Sequence, residues 1–162
     1  MIAVILIILV IAFVYFFDPC SGSYRTKSGR MYRARDQQTA EMIDALRDIS
    51  IHLTYKINPE DGELLRERLQ NTSFKELYEH NPRILGWNFD KGREIGVKMY
   101  KDDGKMYPSS DIIETLFHEL AHSLTDSVGH QPDWEMKDAY LQTYSPEYVK
   151  IFELKKNIIL NE

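Results

Sequence analysis

The chain has a single cysteine, Cys20. One thiol cannot build an internal disulfide framework, and it fits a reducing compartment. There is no C-x-x-C pair, which argues against a zinc ribbon or treble-clef finger. A basic excess is missing too. The 20 Lys and Arg face 25 Asp and Glu, a net charge of -5, which argues against the basic stripe of a nucleic-acid surface. No nucleic-acid partner is expected. The chain also lacks internal repeats and low-complexity tracts. What is present is ordinary globular material, 43% hydrophobic and 28% charged over 162 residues, enough for one core and so one domain plus extras.

Long apolar runs are absent except at the start, where residues 1–17 read MIAVILIILVIAFVYFF. As a helix this run spans roughly 25 Å, within the range of a bilayer-crossing segment. Phe13, Tyr15, Phe16 and Phe17 would mark the exit interface. A cleaved signal wants a basic start, a shorter apolar core and an A-x-A-like site, none of which is present. The sequence therefore predicts a single-pass anchor over 1–17, in contact with a lipid bilayer. Residues 19–35 then hold Arg25, Lys27, Arg30, Arg33 and Arg35 and no acidic residue. The positive-inside tendency places the following domain in the cytosol. Residues 18–35 read as a basic juxtamembrane linker able to lie near anionic headgroups.

Beyond residue 35 the pattern changes. Ile43, Leu46, Ile49, Leu53 and Ile57 recur at helical steps and predict an amphipathic helix over 38–56. Asn58-Pro59-Glu60-Asp61 starts a short helix to about Leu69. Ser73-Phe74-Lys75-Glu76 has the form of a capping box, predicting another short helix that stops near Asn81-Pro82. His52 and His80 have no partner at ligand spacing and read as structural or solvent-facing. Apolar-alternating runs at 84–89 and 93–100 flank Asp90-Lys91-Gly92 and predict a hairpin. Its second strand, 94–100, offers an edge for an extended peptide.

The centre of the chain is His118-Glu119-Leu120-Ala121-His122, an H-E-x-x-H motif. Two histidines four apart on a helix reach one zinc ion, and the glutamate between them handles water. Ile113, Leu116, Phe117, Leu120 and Leu124 fall on one side of such a helix. Asp111, Glu114, Thr115, His118, His122 and Thr125 fall on the other, so the motif stands on an offered polar face. Gly129 permits the turn that returns His130 as third ligand. Asp126 is a rival, but on a continued helix it lies on the order of 12 Å from His118. It would suit a position behind a histidine instead. Asp133, Glu135 and Asp138 are further rivals. A Zn2+ ion on His118, His122 and His130 keeps an open position, as catalytic zinc does. Glu119 would then act as general base on a metal-activated water, with a protein or peptide as substrate. Tyr140 and Tyr144 are candidate oxyanion donors. Helices are expected from Gln131-Pro132 to about Tyr144, with Trp134 under the site, and from Ser145-Pro146 to about Leu160.

The pattern H-E-L-A-H, Gly129-His130 and Trp134 resembles the WLM and SprT-like zinc metallopeptidases. Leu85-Gly86-Trp87-Asn88-Phe89 with Gly92-Arg93-Glu94-Ile95 resembles the L-G-x-N and G-x-x-I hairpin of WLM domains. The resemblance covers residues 81–141. It implies an α+β, zincin-like fold: a helical domain with a small hairpin or sheet packed before the active-site helix. It also implies zinc on the three matching histidines and catalysis by Glu119. The full expectation is an N-terminal transmembrane helix, the linker, and a zincin-like metallopeptidase domain over 36–162. The alternatives are a non-catalytic zinc-containing binding module on the same scaffold, or a protease of DNA-bound proteins, an activity linked to relatives.

Overall fold

The structure is a computed structural model that describes residue 20 and residues 22–162. The chain forms two strands first, β1 (Gly22–Arg25) and β2 (Met31–Ala34), then two helices, α1 (Gln37–Leu53) and α2 (Pro59–Leu69). Strands β3 (Ser73–Glu76), β4 (Gly86–Phe89) and β5 (Glu94–Val97) follow, with a 3-10 turn at Asp90–Gly92 inside the β4–β5 hairpin. Three helices complete it: α3 (Ser109–His122), α4 (Pro132–Gln142) and α5 (Ser145–Leu160). The sheet has five strands in the order β1-β2-β3-β5-β4. The pairs β1–β2 and β4–β5 are antiparallel, whereas β2–β3 and β3–β5 are parallel. The α+β class is as expected, with a larger sheet than a lone hairpin.

The region read as a basic linker folds into this sheet. Tyr32 and Ala34 alternate into the core while Met31 and Arg33 face outward. Its charges are met by acids of the same chain. Arg30 bonds Asp44 at 2.6 Å, Arg35 bonds the fully buried Glu76 carboxylate at 2.6 Å, and Lys27 pairs with Glu162. The expected membrane location is corrected as well: among the described residues no helix is long and apolar enough to cross a membrane. The anchor expected over 1–17 lies outside the described residues.

The helix expected at Ser73-Phe74-Lys75-Glu76 is strand β3 instead. Its capping pattern is local, but the segment sits between β2 and β5, with Phe74 and Glu76 buried at period two. Pairing on both sides outweighs the local preference. The hairpin is where the sequence puts it, yet β5 is internal, so the free edge belongs to β4 and not to the 94–100 segment.

One face of the sheet is covered by helices. Tyr32, Phe74, Ile95 and Val97 join Ile43, Leu46, Phe117, Tyr148 and Phe152 in one core. Helix α1 is opened by Asp36, whose carboxylate accepts from Thr39 N at 2.7 Å. His52, on its last turn, is bonded to the buried Tyr148 hydroxyl at 2.8 Å, a structural role. Helix α3 lies across the β4–β5 end of the same face, wedged against α4 and α5.

Candidate metal centre

Helix α3 buries Ile113, Leu116, Phe117 and Leu120 and leaves His118 and His122 on its outer side. Their ring centroids are 5.2 Å apart. The helix stops at once after His122. Ser123 N bonds back to Leu120 O and Leu124 N to Ala121 O, a tightened last turn. The chain then loops, and Gly129 takes φ +76°, a left-handed conformation that a side chain would resist. This turn brings His130 back, with its ring 5.1 Å from His118 and 5.2 Å from His122. The three rings make a nearly equilateral triangle. One nitrogen from each lies within 4.8 Å of the other two, and among the described residues this is the cluster able to hold a metal ion.

Trp134 forms the floor. It is buried, with its ring 4.2 Å from His130, 4.7 Å from His118 and 5.0 Å from His122. The loop carrying His130 is pinned at two points. Arg68 donates to Ser123 O at 2.6 Å, and Lys91 donates to the Ser127 carbonyl. Asp126 turns outward towards Arg68, its side chain 97% exposed, and so is not part of the cluster. Asp133 and Glu135 stand outside it as well. Asp138 does act on the site: its negative charge partly offsets the burial that lowers the pKa of His118 and His122, and adds to the burial that raises that of Glu119. It belongs to the α4 face that carries Trp134, Asp138 and Gln142 at four-residue steps. Gln142 donates to Asp138 at 3.0 Å.

Glu119 points to the other side of α3 from the apolar floor, yet it is only 6% exposed, because β4 covers it. Its carboxylate rests on Gly86, where a Cβ would collide with it. Burial, and then the Asp138 charge, push its pKa up to about 8. Burial lowers His118, and burial with the neighbouring His118, His130 and Lys91 lowers His122 to about 4. Metal-free His118 and His122 are thus biased towards the neutral form, the one that offers a lone pair to a cation. This donor set of three imidazoles fits zinc.

Above the cluster runs a cleft of about 850 Å³, bounded by β4, α3 and the 127–130 loop. His118, Glu119, His122 and His130 all line it, together with Arg83 and Lys91. The tyrosines expected as oxyanion donors are elsewhere. Tyr140 bonds Asn58 N at 2.9 Å, and Tyr144 donates to Lys56 O at 3.3 Å. Neither lines the cleft. Sequence reading missed Gly86, Asn88 and Gly92 as parts of the site, although the L-G-x-N and G-x-x-I spacing had singled them out.

Among solved structures, the chain is similar to two crystal structures of Wss1 from Saccharomyces cerevisiae. A mutant form is 22% identical, with a TM-score of 0.42, covering 54% of this chain and 80% of that one. The other is 24% identical, with a TM-score of 0.43, covering 53% and 71%. No curated protein matches the chain. The WLM domain model matches residues 63–132, a stretch that holds β3, the β4–β5 hairpin, His118, Glu119, His122 and His130.

Proposed function

We propose that this chain is a zinc-dependent metallopeptidase of WLM type, with a zincin-like site. The observation that carries the reading is the arrangement of three histidines in a 5.1–5.2 Å triangle beside a buried glutamate, all opening on one cleft. His118, His122 and His130 would hold the ion. Zinc on three neutral imidazoles supplies an acidified water and a Lewis acid for a carbonyl. Glu119 is the residue to accept a proton from the attacking water and return it to the departing amine. A nearby cation counters the burial that holds the metal-free carboxyl protonated at neutral pH.

The cleft favours an extended polypeptide. Lys98 N bonds Leu85 O at 2.7 Å, so the pair Leu85–Lys98 is hydrogen-bonded across the hairpin. In an antiparallel ladder such pairs alternate. Trp87 and Phe89 therefore turn their backbone groups to β5, while Gly86 and Asn88 turn theirs to the free edge. A substrate strand can pair there, beside Glu119. The test compares the zinc-loaded chain with Glu119→Gln on unfolded casein, with a chelated control from the same purification. The variant should lose roughly 10²- to 10⁴-fold in rate. Equal cleavage by both would overturn the mechanism.

A further inference from the structure

Resting on the metallopeptidase reading, we infer that Asn88 is a positioning residue that fixes Glu119 in register with the substrate edge. Helix α3 ends in a tightened turn: Ser123 N bonds Leu120 O at 2.9 Å in place of Glu119 O. The Glu119 carbonyl is thereby left without the partner an α-helix would give it. Asn88 Nδ2 supplies one, donating to Glu119 O at 2.5 Å and to Ser123 Oγ at 2.8 Å. Its Oδ1 accepts from Gly92 N at 2.9 Å, which ties the same amide to the hairpin turn. Both of its donor directions and one of its two acceptor directions are thus spent on one junction between β4, the turn and the end of α3.

The surrounding glycines make this junction close. Gly92 has φ +99°, and a Cβ there would lie 2.6 Å from Ser123 Oγ and 3.3 Å from Ser123 Cβ. Gly86, two residues before Asn88 on the same face of β4, receives the Glu119 carboxyl. One strand face therefore grips Glu119 twice, by its backbone carbonyl through Asn88 and by its carboxyl at Gly86. The backbone of those same two residues faces the free edge. Any strand pairing along β4 is consequently set at a fixed offset from Glu119, and Asn88 holds that offset. None of these Asn88 side-chain hydrogen bonds goes to His118, His122 or His130, so its loss should act on turnover more than on metal retention.

The experiment uses the full chain with Asn88→Asp, which keeps the acceptor for Gly92 N but removes the donor to Glu119 O, beside Ser123→Ala. Casein turnover, zinc affinity, melting temperature and amide hydrogen exchange are measured on each. Asn88→Asp should lower kcat at least tenfold, keep zinc affinity within threefold, and speed exchange at residues 120–124. Ser123→Ala should keep kcat within threefold. Unchanged kcat in Asn88→Asp, or losses of zinc affinity and melting temperature that account for the whole effect, overturn the inference. Should the wild type itself leave casein intact, the metallopeptidase reading fails on that substrate. Exchange in the metal-free protein then decides on Asn88 alone, unchanged protection at 120–124 counting against it.

Discussion

The carboxyl of Glu119 lies against the backbone of Gly86, so close that a Cβ at Gly86 would come within 2.8 Å of Glu119 Cδ. Packing of this kind admits no side chain without moving the acid. Gly86→Ala is expected to lower casein turnover at least about tenfold, since small misplacements of a reacting group cost that much or more. Zinc affinity should stay within a few-fold. Turnover at the wild-type level would show that the carboxyl has room to move.

Glu119 also makes a pH signature in the metal-free protein. Its pKa rises from an ordinary 4.5 to about 8 through burial. Between those values the folded state keeps a proton that the unfolded chain has released, so this group's contribution to stability is lost as pH climbs through the window. His122 works the other way, lowered from 6.5 to about 4, and removes stability as pH falls below 6.5. Glu119→Gln should therefore match wild-type melting near pH 4 and melt above it at pH 8 and higher, in chelator. Parallel melting curves across the range would contradict the burial account.

Of the three clustered histidines, His130 is the one carried by a loop and not by helix α3. His130→Ala is expected to weaken zinc binding by more than about 100-fold, beyond the loss typical of groups that merely support a ligand. Asp126→Ala should leave affinity unchanged, because that side chain is 97% exposed and turned to Arg68. Competition titration with a chromogenic chelator reads both. The reverse order of effects would move the third ligand to the carboxylate.

Trp134 sets the floor that all three imidazoles stand on. Trp134→Ala should destabilise the fold by roughly 3–5 kcal/mol, as large-to-small changes in a core do. Trp134→Phe keeps most of the ring area and should recover most of that loss. Urea unfolding of the metal-free chain measures it, and a loss under about 1 kcal/mol for the alanine variant would mean the pocket refills.

Trp87 and Phe89 stack at the sheet edge with centroids 6.5 Å apart and planes 17° from parallel, each about half exposed. A strand paired along β4 would lay alternate side chains beside them. Replacing both with serine should lower stability but leave the chain folded, because these rings are half exposed at the sheet edge and outside the core. It should raise KM for peptides with aromatic residues at alternating positions. Identical peptide profiles for variant and wild type would separate this pair from substrate reading.

Much of this molecule is readable from residue spacing. Ile43, Leu46, Ile49 and Leu53 mark the buried stripe of α1, and Ile113 to Leu120 marks that of α3. Gly129 before His130 announces a left-handed turn, and the turn is present. What spacing could not give is pairing between distant segments. The basic residues at 25–35 look like a solvated or headgroup-facing run until Asp44 and Glu76 arrive from elsewhere in the chain. Ser73 to Glu76 carries a helix-start pattern that two flanking strands override. Thr125, expected on the polar face, is buried because the helix ends three residues earlier. Asp138 reaches the site only through the packing of α4 on α3, although its four-residue step from Trp134 was a visible signal.

The order of the chain has a further consequence for how the site comes into being. Among the described residues every strand lies within residues 22–97, and His118 is the first member of the cluster to be made. On a ribosome the residues of the sheet, α1 and α2 are made before any of the three histidines, but Phe117, Tyr148 and Phe152 complete the core that the strands share. A domain of this kind folds as a unit. The seat at Gly86 and Asn88 therefore closes only as α3 arrives to fill it, and the histidine cluster takes shape in the same event that completes the core.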